Sequence, residues 1–167
     1  AGFIGLPPAA SATDVICLAG SATKTVTLQQ IRLSGTAATL VTLPITLVRR
    51  AAANTGGTAA TTTANPANNI SKRDTTNGTA SAVPIAYSAN PTITDSSPTY
   101  LDSAALTLPV TTAGVATVPL DFDYRLSNVG LQQAVVLRGI AQQVCLNFNA
   151  VSVTSGVLSG TLVWTEE

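Results

Sequence analysis

Histidine and methionine are both missing from this 167-residue chain. Without imidazole, a Ser-His-Asp triad, a Cys-His pair and nearly every catalytic zinc site are excluded. Charge is scarce as well: 10% of residues are Asp, Glu, Lys or Arg, and the signs cancel to zero. A nucleic-acid groove needs clustered Lys and Arg. Only Arg49-Arg50 and Lys72-Arg73 are adjacent, so no nucleic-acid partner is expected. No apolar run reaches the length of a membrane helix, and no membrane span is expected. The opening AGFIGLPPAA lacks the basic n-region and continuous apolar stretch of an intact signal peptide, although a processed chain would begin the same way. Aromatic residues, at 4%, are too few for a typical carbohydrate-stacking platform. Neither a phosphate loop nor a dinucleotide fingerprint is present.

What fills the chain instead is Ala and Thr, which together make up nearly a third of it. Thr, Ser, Asn and Gln solvate a surface without long-range fields, and the low charge gives little self-repulsion. Such a surface suits a protein that ends up packed in an assembly. The length fits one domain with a real core.

Helical periodicity is almost absent, while period-two alternation recurs. In TLVTLPITLVRRA, Val41, Leu43, Ile45 and Leu47 point one way and Thr42, Pro44 and Thr46 the other. Pro44 has no amide donor, so this strand belongs at a sheet edge or carries a bulge. In TKTVTLQQIRLSG, Val26 and Leu28 fall on the opposite parity from Ile31 and Leu33. A slip at Gln29-Gln30, a β-bulge, brings all four to one face. DVICLAG, VPIAY, AALTLPV, ATVPLDFDYRL, QAVVLRGI, VCLNFNAVSV and SGTLVWTEE bring the total to about nine strands. Short strands with Gly, Pro, Ser and Asn between them indicate an all-β chain, an antiparallel β-sandwich or jelly roll, with a barrel as the neighbouring alternative. Residues 1–13 are expected to form an extended N-terminal arm and 14–167 a single sandwich domain. Within that domain, residues 51–83 hold almost no large apolar side chain except Ile70, and are expected to form one long surface loop.

Few residues carry chemistry. Ser21-Ala22-Thr23-Lys24 matches S-x-x-K, but the companion S-D-N and K-T-G motifs are missing and Lys24 opens a strand. A solvated strand border is the expectation, and no catalytic residue is assigned. Asp121 and Asp123 lie two apart on a strand, with side chains about 7 Å apart on one face. The expected role is a solvated face, with Leu120, Phe122 and Tyr124 packed inward; a cation site or sugar hydrolysis are the alternatives. Asn69-Ile70-Ser71 and Asn77-Gly78-Thr79 match the glycosylation sequon by composition alone. Cys17 and Cys145 share no metal-like spacing; buried free thiols are expected first, a disulfide or a reactive thiol second. No metal and no cofactor are expected.

Partner contacts have clearer candidates. Phe3, Ile4 and Leu6 make the arm apolar, so it packs on its own domain or on a neighbouring subunit. Arg49 and Arg50 are either solvated or anchors for a neighbour's carboxylate. Trp164 shares a face with Leu162 and belongs in the core, with a subunit contact as the alternative.

Three stretches, ATDVICLAGSATKTVTLQQIRLSG, RRAAANTGGT and LRGIAQQVCLNFNAVSVTSGVLSGTLVWTEE, resemble small structural proteins of tailed bacteriophages. The likeness covers both ends and one internal segment, about half of the chain. It implies a β-sandwich component of the virion and carries over no catalytic residue. A decoration (cement) protein bridging subunits of the major capsid protein on the capsid exterior, a homotrimer assembled in the host cytoplasm, is the leading expectation by analogy. A tail or fibre module that recognises a host glycan or protein, through the long loop, Tyr87, Tyr100 and the Asp121/Asp123 face, is the alternative.

Overall fold

Alternation between Thr-rich and aliphatic positions is what makes this chain fold as strands. A computed structural model describes residues 1–6, 14–59, 70, 72–111, 117–125, 133–149, 151, 153 and 155–167. Every element among these residues is a strand: β1 (Gly2–Leu6), β2 (Asp14–Ala19), β3 (Thr25–Thr36), β4 (Val41–Arg50), β5 (Thr58–Ala59), β6 (Val83–Ala89), β7 (Thr99–Leu108), β8 (Leu120–Asp123), β9 (Val135–Arg138), β10 (Gln143–Asn147) and β11 (Val157–Glu166). The nine expected strands are all present. The two further ones, β1 and β5, come from the arm and from the long loop.

The strands form two antiparallel sheets packed face to face. One runs β1-β11-β3-β8, with β9 continuing the edge beside β3; the other runs β5-β6-β2-β10-β4-β7. The core lies between them. Leu43, Ile45 and Leu47 of β4, Ile16 and Leu18 of β2, and Val144 and Leu146 of β10 are fully buried on one inner face. Val26, Leu28, Ile31 and Leu33 of β3, with Leu158 and Leu162 of β11, are buried on the other.

Two local irregularities follow from the sequence. Val163 faces Gln30, yet the next residue, Trp164, faces Leu28. Gln29 is therefore the extra residue of a bulge, and the four apolar side chains around it all turn inward. Pro44 sits on the part of β4 that has only β7 beside it, because β10 pairs with β4 from Thr46 to Arg50. The missing amide is thus placed where the strand is locally an edge.

The arm takes the first of its two expected places, on its own domain rather than on a neighbour: β1 pairs with β11, and Phe3 and Leu6 are buried in the chain's own core. The physical reason is shape. Gly160 faces Phe3, and a Cβ there would collide with the Phe3 ring and the Arg32 carbonyl. Phe3 and Leu6 are therefore not available as partner contacts. The Ile4 side chain and residues 7–13 lie outside the described residues.

The long segment 51–83 is in part a cover. Its first leg, through Thr55, Gly56 and Gly57, bridges to Thr92 and adds β5 to the edge of β6. Its later residues, Ile70, Lys72, Arg73, Asn77, Gly78 and Ala80, line one side of a groove against the other sheet. Residues 60–69 and 71, and with them most of the first sequon, fall outside the described residues.

Candidate functional site

The first leg of the cover hides a polar cluster on the outer face of the six-stranded sheet. Cys17 and Cys145 face each other across β2 and β10 and form a disulfide, 128 residues apart in sequence. The expectation of free thiols is corrected: direct register opposition in neighbouring antiparallel strands brings the two sulfurs together. Asp14 and Arg50 are buried beside it as an ion pair, the Arg50 Nη2 donating to Asp14 Oδ1 at 2.8 Å and its Nε to Oδ2. Arg50 Nη1 also donates to the Asp95 carbonyl at 3.0 Å. Asn54 lies over the sulfurs, its amide donating to Asp14 at 2.7 Å and standing 3.7 Å from Cys17 Sγ. Asn147 donates to Asp14 Oδ1 at 2.8 Å, and Gln143 accepts from the Asn54 backbone at 3.0 Å.

This arrangement satisfies a buried charge pair with several hydrogen bonds, which such a pair requires. Burial, followed by the Asp14 charge, pushes the Tyr87 phenol up, against a lowering by Asn54. Tyr87 is therefore inside the cluster rather than a surface contact. Arg50 is inside as well, so the expectation of an intersubunit anchor is corrected for it; Arg49 remains exposed at the strand end. Gly56 and Gly57 both have positive φ, 62° and 70°, the left-handed turn that glycine favours. The RRAAANTGGT stretch is thus a clamp: Arg50 and Asn54 hold the cluster, and the glycines turn the chain over it.

A second network fastens the C-terminal strand. Ser21 is buried and accepts from the backbone N–H groups of Thr23 and Lys24, each at 3.1 Å. The hydroxyls of Ser21 and Ser81 lie 2.7 Å apart, Ser81 giving its own proton to Glu166. Lys24 Nζ reaches Glu166 Oε2 at 3.3 Å. The S-x-x-K stretch is a turn stabilised by its own serine. Burial would raise the Glu166 carboxyl, but the Trp164 indole N–H, the backbone N–H groups of Ala82 and Ser81 and the Ser81 hydroxyl outweigh it and hold it at about 2. Trp164 packs half-buried against the rim of the core, with Leu162 beneath, and donates to Glu166 at 2.9 Å.

Trp164 also lines a groove of about 760 Å³ between β11 and the later residues of the cover. Lys24, Lys72, Arg73 and Arg125 stand around it, with Glu166 and Glu167 as the lining acids. Lys24 is paired with Glu166 and Arg125 with Asp123, while Lys72 and Arg73 have no ion pair among the described residues. The floor shows Gln29, Thr161, Val163 and Thr165, and Gln29 donates to Thr165 at 3.4 Å.

The acid pair of β8 divides between two cations. Asp121 accepts from Gln30 Nε2 at 2.9 Å and lies 3.4 Å from Arg32 Nε. Asp123 is chelated by Arg125, whose guanidinium and backbone N–H hold its carboxyl at about 2. A carboxyl held that low has no proton to donate to a leaving group near neutrality. Phe122 and Tyr124 turn inward as expected. Tyr124 donates to Asp102 at 3.2 Å, and burial, then the Asp102 charge, raises its phenol. Asp14, Cys17 and Cys145 form a metal-sized cluster, but the sulfurs are bonded to each other and the carboxylate to Arg50. No family model, curated protein or solved structure matches this chain.

Proposed function

We propose that this protein is a non-catalytic structural component of a phage particle, a decoration protein that bridges subunits of the major capsid protein on the capsid exterior. The observation that carries this reading is β7. It pairs with β4 on one side only and ends the six-stranded sheet. Its ten residues, TYLDSAALTL, contain no Pro, Lys or Arg; a bulge at Leu101 and the Asp102 carboxylate on the Ser103 amide blunt its first half, and Ala104–Leu108 are left as a regular open edge. An edge this long is a template for a partner's strand, with main-chain hydrogen bonds supplying affinity and alternate side chains specificity. Tyr100 on this edge is 70% exposed, an aromatic anchor of the kind that interfaces favour.

Leu40, Val118 and Val157 add exposed apolar area where β4, β8 and β11 begin. In this reading the particle gains resistance to disassembly from new interfaces, and homotrimers formed in the host cytoplasm occupy symmetric positions. The test is cosedimentation with purified capsids. Saturable binding at many copies per head, weakened when Ala105→Pro removes an amide that faces the open side of β7, is the expected result. A few copies confined to the tail would instead place the protein in a fibre or tail tip. No association with any particle would end the proposal.

A further inference from the structure

We infer that the groove beside Trp164 is a binding site for a carboxylate-bearing oligosaccharide. The charge distribution is the first argument. Of the eight Lys and Arg residues, Lys24, Lys72, Arg73 and Arg125 surround this one groove, on a chain whose charges sum to zero. Lys24 and Arg125 are already paired, which leaves Lys72 and Arg73 on its covering side with no ion pair among the described residues. Glu167 is the one unpaired acid among the described lining residues, an excess of one positive charge. The nearest acid in sequence, Asp74, is occupied by its own turn, accepting from the Thr76 backbone at 2.9 Å and hydroxyl at 2.7 Å. An arginine and a lysine that line a cleft and have no ion pair among the described residues are a carboxylate receptor.

The floor is the second argument. Thr161 is paired on both sides, with Gly2 of β1 and Arg32 of β3, so its backbone has no edge to offer a peptide strand. What the floor presents instead is hydroxyl and amide side chains, from Thr161, Thr165 and Gln29. These match the alternating donors and acceptors of sugar hydroxyls. Aromatic stacking is limited to a half-buried indole, which disfavours a neutral glycan and makes the acid group the principal handle. The site accordingly selects an acidic sugar chain of a few units, and it does so wherever the protein works, on a particle or off one.

Trp164 is the only tryptophan in the chain, so fluorescence excited selectively in the indole, beyond the absorption of the three tyrosines, reports on this groove. The intact protein is titrated with tri-galacturonate, with the neutral trisaccharide maltotriose, and with a hexaglutamate peptide. The expected result is a saturable change with tri-galacturonate only, weakened about tenfold or more by Lys72→Gln with Arg73→Gln, as loss of a charge-assisted contact requires. Both positions are exposed, so an unchanged melting temperature of this variant checks its fold. The inference is overturned by the absence of a saturable response below about 10 mM, by an equal response to maltotriose, or by an unaltered response in the variant. Tighter binding of hexaglutamate would make the groove a receptor for acidic peptides and would equally overturn it. Capsid binding is read separately, so neither outcome decides the other.

Discussion

Glu166 gathers more interactions than any other surface-facing acid. Five donors from Lys24, Ser81, Ala82 and Trp164 converge on it, and its carboxyl sits at about 2 against an ordinary 4.5. The folded state therefore binds fewer protons than the unfolded chain between those values. Its stabilising contribution is complete above pH 4.5 and disappears as the pH falls through about 2. Glu166→Gln is expected to lower stability at pH 7 by about 1–2 kcal/mol, with the difference from the parent closing in acid; urea titrations at several pH values check this. Asp14 acts in a drier setting. Asp14→Asn strands the Arg50 charge and should cost about 3–5 kcal/mol, whereas Asp14→Leu with Arg50→Met together should cost less than either change alone.

At the scale of elements, β1 is the test of how the sheets close. Phe3→Ala removes a fully enclosed ring and should cost about 3–5 kcal/mol. Gly160→Ala pushes a methyl group into the same ring and the neighbouring carbonyl, for a loss of about 1–3 kcal/mol. Thermal melts of both variants measure these losses. The inner strands were legible because their alternation is long: four aliphatic residues in β4 and the slip at Gln29-Gln30 in β3 leave one consistent face. β1 was not legible. Phe3 and Leu6 both turn inward although three residues apart, through a register shift and Gly5 at φ 71°, and period-two reading misses such a pair. The disulfide and the Asp14–Arg50 pair were hidden for another reason. Each joins residues whose proximity depends on which strands become neighbours, and local pattern does not carry strand order. The Asn-Thr-Gly-Gly turn was visible as a motif, but its role as a lid over the sulfurs needed the sheet beneath it. The cations of the groove were visible only as the Lys72-Arg73 dipeptide; Lys24 and Arg125 join them through the fold.

For the whole molecule, the cross-link spans most of the chain. Closing a loop between cysteines 128 positions apart lowers unfolded-state entropy, worth about 5 kcal/mol on the chain-entropy model. Cys17→Ala with Cys145→Ala should therefore reduce unfolding free energy by up to that amount, read from denaturant midpoints. Disulfides persist outside reducing cytosol. If the particle is assembled in cytoplasm, rapid alkylation before lysis should trap both thiols, and alkylation of released particles should trap neither; mass spectrometry distinguishes the two states.

The pairing of β1 with β11 also dictates a timetable. A chain leaves the ribosome from its N-terminus, so Phe3 and Leu6 emerge while the strand that will shelter them has not been translated. At about 5–20 residues per second, that greasy segment waits on the order of ten seconds for its mate. During the interval it is a target for chaperones or for a sister polypeptide on the same message. The sandwich can be sealed only once β11 has been synthesised, and a nascent chain stalled before Val157 should remain open however complete its other sheet.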